Sequence, residues 1–119
     1  MANAYFELAK GSITIDTEVI SKIAGIIATG CYGVVGMAYR SKSDEFASLL
    51  KRDSLTKGIK VTVDGKIVNV DIHIIIQYGV NINAICNSII NNVKYQVNHM
   101  TGLDVGDINV YVEGFRVQE

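Results

Sequence analysis

The chain contains no proline and no tryptophan, and only two cysteines in 119 residues. The first two gaps, set beside many Ile and Asn residues, are the bias of an AT-rich coding sequence and carry no chemistry. Cys31 and Cys86 lie too far apart in sequence for a zinc or redox spacing. They read as structural thiols in a reducing compartment, Cys86 on the apolar stripe of a helix. Charge is scarce too. Charged residues make up 19% and the net charge is −1, which removes the electrostatic footprint of a nucleic-acid binder. Residues 1–10 have neither a basic n-region nor an apolar core, so no signal peptide is expected. The uncharged run between Lys22 and Arg40 only reaches the lower limit of about 17 residues for a spanning helix, and four glycines interrupt it. No transmembrane span is expected.

What is present is hydrophobic content: 49%, with mean hydropathy +0.26, which excludes a disordered chain. The length fits a single domain with a real core. The charges are unevenly placed. Residues 40–66 carry seven basic and four acidic side chains, and residues 67–119 carry two basic and five acidic. The bland reading is solvated charge; the sharper one is a basic face for an acidic partner, another copy or anionic lipid.

Ile59 to Tyr78 organises the pattern. Asp64-Gly65 between alternating apolar residues signals a two-residue hairpin turn. That turn sets Val63 opposite Lys66, Val61 opposite Val68 and Ile59 opposite Val70. The apolar row continues through Ile72, Ile74, Ile76 and Tyr78. The other face carries Lys60, Thr62, Asn69, Asp71, His73 and Gln77, with Ile67 and Ile75 as exceptions. A one-residue slip would turn the apolar row to water, so its parity is fixed.

Around the hairpin, residues 1–10 are weakly patterned and read as an arm that packs through Tyr5, Phe6 and Leu8. A short strand follows over Ile13–Ile15. Asp16 or Thr17 caps a helix to about Thr29, with Val19, Ile20, Ile23, Ile26 and Ile27 predicted inward and Glu18, Ser21, Lys22, Gly25 and Thr29 outward. Gly30 stops it. Gly33–Ala38 reads as a strand, and Ser43 or Asp44 opens a short helix to Lys51. Asn81 caps the longest helix, with its stripe at Ile82, Ile85, Cys86, Ile89, Ile90, Val93, Val97 and Met100. Gly102 ends it. Ile108–Val112 is the last strand, parallel to the hairpin's second strand through a βαβ crossover. The expected fold is α+β, a two-layer sandwich with a mixed sheet and its helices on one face, in the order β-α-β-(α)-β-β-α-β. Residues 11–119 form that domain.

Chemistry is sparse. Asp71 and His73 share the polar face of one strand, and a carboxylate can orient an imidazole for general-base work. No nucleophile is placed beside them, and solvated strand residues are the better reading. His99 has no ligand neighbour at metal spacing. Gly30–Gly33 and Gly33–Gly36 match the GxxG of a KH-type RNA-binding loop, but no Lys or Arg lies between Lys22 and Arg40. A helix stop plus turn is the better account, and a small KH-like RNA- or ribosome-associated module is kept as the alternative. Neither a phosphate-binding loop nor a dinucleotide fingerprint is present.

Several segments together carry a resemblance. They are Tyr78–Ile82, Asn92-Val93 with Val97, Met100–Leu103 and Ile108–Gly114. Toward the N-terminus, Gly11–Val19, Ile23–Gly25 and Gly33–Met37 join them, and Leu50–Gly58 is similar to a short-chain branch. From Gly11 onward the chain resembles the alkaline shock protein family, the envelope stress response proteins of Gram-positive bacteria. Asn81 and Asn83 stand where many relatives have Ser and Pro, and the polar face of the long helix is richer in Asn. The resemblance implies a non-enzymatic cytoplasmic protein linked to cell-envelope or lipid-precursor homeostasis. It implies no cofactor, and self-association. Its expected partners are a membrane-anchor protein, placing the chain at the membrane periphery, or a lipid-metabolism enzyme. The surfaces expected to act are the open sheet face (Asn69, Asp71, His73, Gln77) and the basic loop (Lys51, Arg52, Lys57).

Overall fold

A computed structural model describes residues 3–38 and 56–117. The short helix expected from Ser43 or Asp44 to Lys51 lies outside the described residues. Asn3–Leu8 (β1) and Gly11–Asp16 (β2) pair antiparallel as a separate hairpin. The expected arm is therefore itself a strand, and the expected strand at Ile13–Ile15 is longer. Ala4 is fully buried and Phe6 packs against the core, while Tyr5 and Leu8 remain exposed.

Thr17–Thr29 (α1) begins at Asp16, whose carboxylate accepts the Glu18 N–H at 2.9 Å. Val34–Met37 (β3), Ile59–Asp64 (β4), Ile67–Gln77 (β5) and Asp104–Arg116 (β6) form a four-stranded mixed sheet. β5 is its spine. β6 runs parallel to it on one side, and β4 and β3 lie antiparallel, end to end, on the other. These two meet at His73, whose backbone N–H donates to Gly58 O at 2.9 Å and whose carbonyl accepts from Ala38 N at 3.0 Å. Gly58 has φ +74, and a Cβ there would run into the Ala38 carbonyl. Glycine is what lets the two strands abut.

The hairpin register differs from the expected one. Asp64 pairs with Ile67, Val63 with Val68, Val61 with Val70 and Ile59 with Ile72, so Gly65 and Lys66 are the turn residues. Gly65, at φ +64, takes the first central position, where a type II′ turn puts its glycine. Moving the turn by one residue changes the pairing by two, so side-chain parity survives. The gain is Val63 against Val68 instead of Lys66. Val68, Val70, Ile72 and Ile74 are fully buried and Ile76 nearly so. Each contributes about 1.5–3 kcal/mol of transfer free energy on the helix-covered face. Tyr78 falls beyond the strand, 65% exposed.

Both described helices cover that one face, α1 over β3 and β4 and Ile82–Thr101 (α2) over β6. Asn81 Oδ1 caps α2 by accepting from Ala84 N at 3.0 Å, and Gly102, left-handed at φ +77, closes it. Ile85, Ile89, Val93 and Val97 form its buried line, with Ile82 and Met100 at its exposed ends. α1 is rotated from the expected face. Ile20, Ile23, Ala24 and Ala28 are buried together with Ser21 and Gly25, while Val19 and Ile26 face solvent. Small residues let the helix sit close to its neighbours, and close packing over Ser21 and Gly25 outweighs the burial of two larger side chains.

Candidate interaction surface

Alternation along β5 sends every second side chain to the face away from the helices, which brings Asn69, Asp71, His73 and Gln77 into one row. The parallel register with β6 then supplies partners. Asp71 lies beside Asn109 and His73 beside Tyr111. Asn109 Nδ2 donates to Asp71 Oδ1 at 3.0 Å. The His73 and Tyr111 rings stack with centroids 4.6 Å apart and planes 15° apart. His73 Nδ1 lies 2.7 Å from Glu113 Oε1. Asn69 Oδ1 accepts the Asp107 backbone N–H at 2.8 Å where the β5–β6 register shifts. Gly106 makes room for this, since a Cβ there would stand 2.5 Å from Asn69 Oδ1.

The carboxylate that meets His73 is therefore Glu113, not Asp71. Periodicity along one strand cannot reveal this, because Glu113 arrives from β6. Tyr111 and Asn109 likewise reach the open face from β6, through its parallel register with β5. Lys57 stands half-buried in the turn before Gly58, at the junction of β3 and β4. Lys51 and Arg52 lie outside the described residues.

The Gly30–Gly33 turn joins a helix to a strand, not two helices. Gly33, at φ +90, takes the Gln77 N–H on its carbonyl at 2.8 Å, and a Cβ there would strike the Ile85 side chain. It is a packing turn beneath the start of α2. Cys31 Sγ lies 3.8 Å from Ser88 Oγ, which sets the first thiol against α2. Burial pushes the Cys86 thiol up from its ordinary value, and the charge of Cys31 adds to the shift. No helix among the described residues is long and apolar enough to cross a membrane. No group of three or more His, Cys, Asp or Glu among them is placed to hold a metal ion.

Comparison with known proteins agrees on one family. The chain is 38% identical over 108 residues to the uncharacterized protein YloU of Bacillus subtilis, covering 90% of each. It is 35% identical over 108 residues to the uncharacterized protein Spy1614 of Streptococcus pyogenes, covering 90% of this chain and 89% of that one. A stress response regulator gls24 homolog of Streptococcus pyogenes is 34% identical over 113 residues, 92% of this chain and 62% of the longer relative. No solved structure matches the chain significantly. Residues 6–117 match the alkaline shock protein 23 family, described as having a cell envelope-related function, and the chain belongs to that family.

Proposed function

We propose that the chain is a non-enzymatic interaction protein of cell-envelope homeostasis, working through the open face of its sheet. It associates there with further copies of itself and with a partner, either a membrane-anchor protein or an enzyme of lipid metabolism. It acts in the cytoplasm and reaches the membrane periphery through that partner. The name of the gls24 homologs adds stress response as the setting.

The supporting observation is how the open face uses its polar groups. Asp71, His73 and Asn69 are each spent on a side chain or backbone group of β6. This holds the face rigid and lowers the entropy cost of docking against it. His73 bonded to Glu113 and stacked on Tyr111 makes a platform, not a poised base, and Asp71 is committed to Asn109.

Sedimentation velocity of the full chain at about 10 μM and physiological salt tests the reading. Assembly is expected for the native sequence. Tyr111→Lys, on the exposed platform, is expected to disperse it with unchanged circular dichroism. A native chain that sediments only as monomer contradicts the self-association.

A further inference from the structure

β6 is the longest strand of the sheet, and only one of its edges is used. It pairs with β5, and among the described residues no strand lies along its other side. Such an edge invites further pairing, and folded proteins blunt it with lysine, proline, bulges or shortness. β6 is 13 residues long, has neither lysine nor proline, and its two bulges fall toward its ends. Between them Ile108–Val112 is regular and uncharged. The core is unfinished along this edge. Val105, Val110 and Val112, on the helix-covered side of β6, pack against the core yet stay half-buried, and Phe115 on that side is exposed. The helix above repeats the pattern. Ser88 of α2 faces Cys31 at the end of α1, and Ile90, turned about 200° from Ser88, points away from α1 and is half-buried.

The order of residues along β6 selects the occupant. Outward from Val110 in both directions, the strand nearly mirrors itself. Ile108 answers Val112, Gly106 answers Gly114, Val105 answers Phe115, and Asp104 answers Arg116 with the opposite charge. When two such strands pair antiparallel about a two-fold axis at Val110, these residues become direct neighbours. Apolar then meets apolar on the helix-covered side, and glycine meets glycine at the bulges. A carboxylate meets a guanidinium at each end. The like-charged neighbours in this register are Asp107 and Glu113, which stand at the bulges, where Glu113 is already bonded to His73. We infer that the free edge of β6 pairs antiparallel with the same edge of a second copy, making one continuous sheet with the helices of both copies on one side. Val110 points to the helix-covered side, so copies that meet through the open face do not bring two Val110 side chains together. Either reading can therefore fail while the other stands.

The test is disulfide trapping in the full chain carrying Cys31→Ala and Cys86→Ala, at about 100 μM in a glutathione redox buffer. Directly opposed residues of antiparallel strands have Cα atoms about 4.5–5.5 Å apart, within the span a disulfide bridges. Val110→Cys is therefore expected to link to itself across the axis. Val112→Cys lies on the same side of the strand, but its two copies would stand about 13 Å apart along the strands. Val110→Cys is expected to give at least about tenfold more linked dimer than Val112→Cys, with circular dichroism unchanged in both. Equal linking at the two positions would mean random encounter, and linking at Val112 alone a different register. Either result overturns the inference, as does linking at neither. The unaltered chain gives a second reading through amide exchange followed by NMR. The outward amides of residues 108–112 are expected to slow at least about fivefold between about 10 μM and about 1 mM protein. Exchange there that is independent of concentration overturns the inference too.

Discussion

His73 on β5 and Glu113 on β6 stand 40 residues apart in the chain and 2.7 Å apart in space. The Tyr111 ring lies over the same imidazole. His73 is 15% exposed in its side chain and Glu113 46%, so the hydrogen bond between them is partly open to solvent. Glu113→Ala is expected to lower stability by about 0.5–1.5 kcal/mol. A double-mutant cycle between His73→Ala and Tyr111→Ala is expected to give a coupling of about 0.5–1.5 kcal/mol from the stacked rings. Urea denaturation reads both, and additive losses in the cycle would mean the rings do not support each other.

Gly58 and Gly65 both have positive φ, yet their substitutions separate cleanly. At Gly65 an added Cβ meets nothing, so Gly65→Ala costs only the left-handed backbone, about 1–2 kcal/mol. At Gly58 the same Cβ meets the Ala38 carbonyl, where β3 and β4 abut over His73. Gly58→Ala is expected to cost about 2–5 kcal/mol, strain and overpacking together. Similar melting temperatures for the two variants would refute the end-to-end junction.

The rotation of α1 makes Ile20 and Ile26 unequal. Ile20 is fully buried and Ile26 is 58% exposed. Ile20→Ala is expected to cost about 2–5 kcal/mol. Ile26→Ala is expected to stay within about 0.5 kcal/mol of the native chain. Equal losses would restore the inward face that hydropathy alone suggests.

Burial of Cys86 fixes a pH dependence. Its thiol is raised in the folded chain, first by desolvation and then by Cys31, so the unfolded chain ionises at lower pH than the folded one. The stability contributed by the half-buried neutral thiol is fully present below the ordinary thiol range and is lost as pH rises through it toward the raised value. Because the thiolate is the nucleophile, Cys86 is expected to react with a disulfide reagent more slowly than an unfolded control at neutral pH. Equal rates would show that the thiol is not desolvated.

Much of this architecture is legible in the residues, and the rest has identifiable reasons for being hidden. The alternation from Val68 to Ile76 fixes which face of β5 is buried, because period two leaves no other choice. It does not fix the turn, since Asp64-Gly65 and Gly65-Lys66 preserve the same parity. α1 misleads because Val19, Ile20, Ile23, Ile26 and Ile27 make it apolar on more than one side. Its orientation is set by the small residues Ser21, Ala24, Gly25 and Ala28, which hydropathy undervalues. β1 escapes notice because Asn3–Leu8 mixes polar and aromatic residues without a period. The row Asn69, Asp71, His73 and Gln77 is visible as one face of a strand. Its partners Asn109, Tyr111 and Glu113 are not, because they depend on a parallel register with shifts at Val68/Val70 and Ile74/Ile75.

The most direct test of the account is site-specific photo-crosslinking in the native cell. A benzophenone side chain would replace either Tyr111 on the open sheet face or Ile26 on the outer side of α1. The account predicts discrete crosslinked species, to further copies and to a partner protein, from the position of Tyr111 and none from that of Ile26. Crosslinks from Ile26 with an inert Tyr111 position would contradict it, placing the working surface on the helical layer.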